Sequence, residues 1–287
     1  CRHRGYRVVE ADAKECKVLR CRYHTWTYDL AGNLRRAPGT EDEPNFIRDE
    51  LGLRRVAVDT WAQAVFVNPN PNAPPLREAF TRLDDWTDSF DFDPDPASYT
   101  LHREVVSDIE ANWKLWWDNG TECYHCPSIH GSSFNSVYNT VGEDHRFETD
   151  RNMLSATFVT KRRETGELSS GKYRSIHLMP GFQAVQQSDF MLLSKMTPTS
   201  PSSCRFTVHY LAEVGADPAR VDQWIDIWHA TYLEDAEAIS IQQQNMNIPD
   251  APPFRYVSER EGPSIHVLRQ YWETCKEMLV DDADRCN

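Results

Sequence analysis

No stretch of this chain is apolar for long enough to cross a bilayer, and no signal-peptide pattern is visible. The expectation is therefore no membrane partner and a cytoplasmic location. Basic residues are scarce: Lys and Arg number 31 against 44 Asp and Glu, a formal net charge of −13. That deficit argues against nucleic acid or an anionic lipid surface as a partner. It is compatible with docking of a partner protein, although surplus acid is most often plain solubility. A second Cys-x-x-Cys is also missing; Cys123-x-x-Cys126 looks like half a zinc ribbon or a redox pair, but without that second pair it is read in preference as two packing residues. Internal repeats and low-complexity tracts are absent, and no Met precedes Cys1, which reads as a piece of something longer.

What is present is an ordinary globular composition, 40% hydrophobic and 26% charged, over 287 residues, enough for two domains. The opening part reads as strands and tight turns. Tyr23 to Leu30 is rich in β-favouring residues, Asp29 to Asn33 supplies a hairpin turn, and Arg55 to Val67 is one strand-like run. Cys16 is read as a strand residue. A Pro/Asn stretch from Asn68 to Pro75 and an acidic connector from Asp84 to Pro96 mark a boundary, giving domains at 1–83 and 84–287. Beyond it, Asp108 to Cys126 reads as a helix interrupted at Gly120. Strand-like runs follow at Met153–Arg163, Lys172–Met179, Gln183–Met196 and Arg205–Val214. Asp217-Pro218 is a helix start, an N-cap followed by proline, for a helix running to Asn245, and a last helix covers Ser264 to Leu279. The fold class is α+β, a small β domain followed by a larger mixed domain.

Eight cysteines in a large chain without a secretory pattern point to metal ligation rather than disulfides. Cys1-x-His3 and Cys21-x-x-His24 each offer one thiolate and one imidazole. Structural zinc sites pair Cys with Cys and His with His. Mixed pairing suits a Rieske [2Fe–2S] cluster instead, in which two Cys hold one iron and two His the other, raising the potential.

A second site is read around His125 and His130. On an unbroken helix, residues five apart diverge by about 140°, but Pro127 breaks the helix and lets the second imidazole swing back. The third ligand comes from periodicity. Trp224, Trp228, Tyr232, Asp235 and Ile239 fall within an arc of about 80°, so Asp235 sits in the apolar stripe. A buried carboxylate costs several kcal/mol unless paired or metal-bound. Its neighbour Glu234 is expected to point well away. His125, His130 and Asp235 then form a two-histidine, one-carboxylate triad with one face of Fe(II) open for O₂ and substrate. His177 and His209, in strand-like runs, are candidates to face a substrate cavity. The remaining histidines match no ligand pattern.

These motifs, CRHRG and CRYHTWTYDLAGNL in the first part and NWKLWWDNGTECYHCPSIH and YLEDAEAISIQQQ in the second, resemble the α subunits of Rieske non-haem iron oxygenases. The resemblance implies a Rieske domain, here lacking the family's usual segment before the first Cys, joined to a helix-grip catalytic domain with a curved antiparallel sheet. It implies a homotrimer in which the cluster of one chain neighbours the iron of the next. Glu122 then bridges His125 and a neighbour's His24, with Glu122 and His125 at i, i+3 on one side of a helix. Asn119 matches an Asn often found near the iron. Glu at the bridge resembles the carnitine and glycine betaine branch, which oxidises carbon next to nitrogen and takes small quaternary ammonium substrates. Electrons are expected from a reductase or ferredoxin, and ultimately from NAD(P)H. The competing readings are an aromatic-ring dioxygenase, a Rieske electron carrier and a zinc-bound structural domain. A chain starting at Cys1 is expected to load its cluster poorly.

Overall fold

The computed structural model describes the chain apart from residues 12–14, 90–92, 94, 143–144, 162–171, 188, 250–252 and 286–287. The chain divides into two compact units, Cys1–Thr60 with Val65–Pro75, and Trp61–Ala64 with Leu76–Asn287.

In the first unit, β1 (Leu19–Arg20), β2 (Thr27–Tyr28) and β3 (Leu34–Arg36) form a three-stranded antiparallel sheet in that order. The expected turn joins β2 to β3. Asp29 accepts hydrogen bonds from the Asn33 amide and the Arg35 guanidinium, and Gly32 takes a φ of +86° that favours glycine. A small core of Cys21, Trp26, Tyr28, Leu34 and Ala37 lies against the sheet. Cys16 is not in a strand; its thiol bonds instead to the Val18 carbonyl at 2.6 Å. The run Arg55–Val67 is a hairpin, not one strand: β4 (Ala57–Trp61) pairs with β5 (Ala64–Asn68). Its turn uses Ala62 at φ +50°, with none of the Gly, Asn or Asp that usually announce such a turn.

The second unit begins with two short helices, α1 (Leu76–Ala79) and α2 (Leu83–Ser89). The acidic stretch read as a connector is thus partly helical, because Leu83 and Trp86 supply a buried face. The framework is a seven-stranded antiparallel sheet built from β6 (Tyr99–Ile109), β7 (His145–Asp150), β8 (Met153–Val159), β9 (Lys172–Leu178), β10 (Phe182–Gln187), β11 (Phe190–Ser200) and β12 (Ser203–Glu213). Its order is β6-β12-β11-β10-β9-β8-β7. The predicted run Gln183–Met196 is two antiparallel strands, since Gln187 pairs back onto Phe190. Arg162 and Arg163, at the end of another predicted run, lie outside the described residues.

Helices α3 (Trp113–Gly120), α4 (Cys126–Ile129), α5 (Phe134–Val137), α6 (Pro218–Met246) and α7 (Ser258–Arg285, kinked at Glu261) complete the unit. The helix expected from Asp108 starts later. Asp108 and Ile109 finish β6, and Asn112 caps α3 by accepting the Lys114 amide at 3.0 Å. Helix α6 starts as its sequence demands: Asp217 accepts the Ala219 amide and Pro218 fills the first helical position. Its stripe of Trp224, Trp228, Tyr232, Asp235 and Ile239 is buried along the whole length. Among the described residues, no helix is long and apolar enough to cross a membrane.

Candidate metal centres

Two loops of similar shape carry the first set of candidate ligands. In one, the Gly5 amide closes back on the Cys1 carbonyl at 3.0 Å; in the other, the Cys21 amide bonds to the Trp26 carbonyl at 2.8 Å. Gly5 and Thr25 take φ values of +71° and +59°, so each loop turns sharply after its histidine. The loops bring the imidazoles of His3 and His24 edge to face, with centroids 4.5 Å apart, and His3 stacks on Trp26 at 4.9 Å. Both histidines are exposed, whereas Cys21 is buried and Cys1 half-buried. The Tyr28 hydroxyl accepts the Arg2 amide at 3.1 Å, which leaves its own proton for the Cys1 sulfur 3.4 Å away. Two free thiols facing a core and two adjacent imidazoles facing outward fit the mixed donor set of a Rieske cluster.

The second set lies between α3, α4 and α6. His125 and His130 flank α4, and Asp235 reaches them from α6. The His125 Nε2 and His130 Nε2 atoms are 3.1 Å apart, and Asp235 Oδ1 lies 3.4 Å and 3.0 Å from them. Adjacent ligands of an octahedral ion at ~2.1 Å are ~3.0 Å apart, so this triangle has the dimensions of one octahedral face. Burial pushes the Asp235 carboxyl up, but the hydrogen bonds of His125 and His130 outweigh it and hold the group well below the ordinary carboxylate range. Burial also works against a charged His125, yet its bonds to Asp235 and Glu122 raise it to about 10. Two imidazoles and a carboxylate held this close and this buried form a donor set that suits a divalent cation.

Glu122 accepts from His125 Nδ1 and from the Tyr124 amide. The expected contact is there, but not for the expected reason. Residues 121–125 lie between α3 and α4 and are not helical, so a turn brings Glu122 under His125. Asn119 donates to Asp235 Oδ1 at 2.6 Å.

Glu234 does not point away. Its carboxylate lies 2.8 Å from His130 Nδ1 and accepts the Ser133 hydroxyl as well. Angular position on α6 placed it outside the apolar stripe, but α4 holds His130 at the helix flank, within reach of a three-carbon side chain. Cys123 and Cys126 are also more than packing residues: they form a disulfide that spans His125. Cys126 Sγ lies 4.0 Å from His125 Nε2, so sulfur and imidazoles form one tight group. The lone Cys-x-x-Cys was the only signal for that bond.

Asp235 lines two adjoining cavities. One, of about 390 Å³, is walled by Trp116, Trp117, His177, Gly181, Phe206 and Tyr232 among others. The other, of about 470 Å³, contains both histidines of the triangle with Phe134, Phe158, Tyr173 and Trp228. Trp116 packs on Phe206 at 4.2 Å and Tyr232 at 5.6 Å. Gly181 is needed where it is, because a Cβ would come within 2.8 Å of the Met196 carbonyl oxygen. His177 is a wall residue as expected, bonded to Ser175 at 2.9 Å, and burial pushes its pKa down to about 3. His209 faces outward beside Glu104 and contributes nothing to the cavity.

Comparison with known proteins finds a matching family model for each of the two regions. A model of the ring hydroxylating alpha subunit (catalytic domain) matches residues 96–277, and a Rieske [2Fe-2S] domain model matches residues 1–57. The chain is similar to the glycine betaine monooxygenase oxygenase subunit of Chromohalobacter salexigens, 35% identical across 99% of this chain and 73% of that protein. It is also similar to the carnitine monooxygenase oxygenase subunit of Escherichia coli, 33% identical across 48% of this chain and 36% of that protein. In fold it resembles a quaternary ammonium Rieske monooxygenase, with a TM-score of 0.78 at 18% identity over 95% of this chain and 75% of that one. Naphthalene 1,2-dioxygenase from Rhodococcus sp. follows at 0.70 and 19% identity, over 95% and 78%.

Proposed function

Because the chain belongs to the family of ring-hydroxylating α subunits, with a Rieske domain ahead of the catalytic one, we propose that it is the terminal oxygenase component of a system oxidising small quaternary ammonium compounds. Cys1, His3, Cys21 and His24 would hold the [2Fe–2S] cluster, and His125, His130 and Asp235 the mononuclear iron. When bound, the two groups supply stored electrons and reductive O₂ chemistry at a carbon next to nitrogen. A reductase or ferredoxin would deliver the electrons, ultimately from NAD(P)H.

The observation that carries this reading is the ligand-sized triangle of two Nε2 atoms and one carboxylate oxygen at the border of an aromatic-walled cavity. Trp116, Phe206 and Tyr232 line the cavity with aromatic rings, the residue type whose π faces attract a cation deprived of water. His177 is held neutral by its burial and adds a polar atom without a repelling charge. Asn119 holds the Asp235 carboxylate in place. Glu122 fixes the His125 ring through Nδ1, and is the residue that a neighbouring subunit's exposed His24 would meet in a homotrimer. The names of the relatives support the substrate class, since carnitine and glycine betaine are both quaternary ammonium acids.

The test is metal and acid-labile sulfide analysis of anaerobically purified protein, wild type beside Asp235→Ala, followed by turnover with a reductase. One iron fewer per chain in the variant, with an unchanged cluster spectrum, supports the site. Release of a smaller amine and a matching carbonyl product from carnitine, glycine betaine or choline supports the substrate class. Turnover of naphthalene alone would transfer the chain to arene oxidation, and zinc without sulfide would sink the oxygenase reading.

A further inference from the structure

A neutral imidazole carries one N–H and one lone pair, and a metal-binding nitrogen must offer the lone pair. Which nitrogen does so is set by what the other one meets. His125 meets Glu122 at Nδ1, and this pairing was expected. His130 meets a second carboxylate, Glu234, at 2.8 Å from Nδ1. An ionised carboxylate only accepts, so this contact keeps a proton on Nδ1 and leaves Nε2, 3.0 Å from Asp235 Oδ1, as the nitrogen that a metal ion would take.

Three further observations separate this arrangement from an incidental surface contact. His130 is 2% exposed, so its ring is not free to choose a water molecule instead. Its backbone is pinned at both sides, the amide bonding to the Cys126 carbonyl at 3.1 Å and the carbonyl accepting the Asn135 amide at 2.9 Å. The buried Ser133 hydroxyl donates to the same Glu234 oxygen, which gives that oxygen a second anchor beside the ring contact. Glu234 also directly precedes Asp235. One turn of α6 therefore supplies the oxygen that faces the ion and the oxygen that orients an opposing ligand, which locks two of the three donors to a single rigid element.

We infer that Glu234 is a positioning residue that, with Ser133, fixes the tautomer and orientation of His130 and thereby sets the affinity of the mononuclear site. The inference rests on the metal-site reading given above. Second carboxylates of this kind typically change metal affinity by roughly 10–100-fold.

The experiment is anaerobic titration of metal-depleted, cluster-loaded protein with Fe(II), using wild type, Glu234→Ala, Glu234→Gln and Ser133→Ala. Zinc-loaded samples give a diamagnetic readout of the His130 Nδ1–H proton by ¹⁵N-edited NMR. Glu234→Ala should weaken Fe(II) binding by roughly 10–100-fold and abolish the low-field Nδ1–H signal. Glu234→Gln, whose amide oxygen still accepts that proton, should keep the signal and recover most of the affinity. Ser133→Ala should fall between wild type and Glu234→Ala. An unchanged cluster spectrum and melting midpoint show that the variants fold. Glu234→Ala binding Fe(II) as tightly as wild type, with the Nδ1–H signal intact, overturns the inference and leaves the triad standing. Wild-type protein that takes up no Fe(II) overturns both.

Discussion

The two candidate metal centres of this chain are built in opposite ways. The proposed cluster ligands sit on two short loops beside a three-stranded sheet of two- and three-residue strands, with the histidines exposed. The proposed iron ligands sit at the ends of a one-turn helix and in the middle of a 29-residue helix, with His130 and Asp235 buried. The difference follows from the chemistry each must do. A cluster that exchanges electrons with other proteins needs an edge near the surface, and four covalent ligands hold it without a large core. An ion that reacts with O₂ needs open coordination positions in a water-poor cavity, and three ligands cannot organise that alone. The second site therefore recruits partners: Glu122 behind His125, Glu234 behind His130 and Asn119 beside Asp235.

The sharpest break in this comparison comes from removing one ligand at each centre. Asp235→Ala should abolish turnover and mononuclear iron while leaving the cluster's visible spectrum intact, whereas Cys21→Ser should remove the cluster and leave Fe(II) binding unchanged. Loss of both metals in either variant would show that the centres assemble as one. Next in size, Glu122→Ala should lower turnover by roughly 10–100-fold, because the carboxylate that accepts from His125 Nδ1 is lost; steady-state kinetics on metal-replete protein would measure this.

The buried centre should also respond to pH. His125 is raised to about 10 by Asp235 and Glu122, despite burial, so at neutral pH the metal must displace its proton. Fe(II) affinity should then rise with pH, by up to about tenfold per unit for each displaced proton, until that range is passed. A flat affinity between pH 6.5 and 8.5 would contradict the proton count.

A smaller pH effect concerns stability. His177 is held neutral when folded, down to about 3, but titrates normally when unfolded. Below about 6.5 the unfolded chain binds the extra proton, so this contribution is lost as pH falls, at up to about 1.4 kcal/mol per unit. His177→Gln should flatten that slope in denaturant titrations. The smallest expected effect is at the cluster: Tyr28→Phe removes a hydrogen bond to the Cys1 sulfur. It should lower the reduction potential, read by voltammetry, and cost about 1 kcal/mol of stability.

Much of this was legible in the sequence, because covalent chemistry and helical periodicity are local. Cys-x-His and Cys-x-x-His name a donor set at close range. The 3.6-residue repeat of α6 marked Asp235 as a carboxylate on a buried face, and Asp217-Pro218 fixed where that helix begins. The hairpin at Ala62 was hidden because its turn carries no turn-forming residue, and β6 ran on through Asp108 because pairing with β12 overrode a helical reading.

What only the tertiary structure decided were relations between segments far apart in the chain. Glu234 reaches His130 across 104 residues, and Asn119 reaches Asp235 across 116. Helical angle could say which way Glu234 leaves its own helix, but not that α4 would lie at that flank. The neutrality of His177 and the aromatic wall of Trp116, Phe206 and Tyr232 are likewise properties of packing. Sequence by itself determined which atoms can bind metal, since that is fixed by residue type and spacing. Packing decided which of them are dry, oriented and held in a single tautomer, because burial and second partners exist only once distant segments meet.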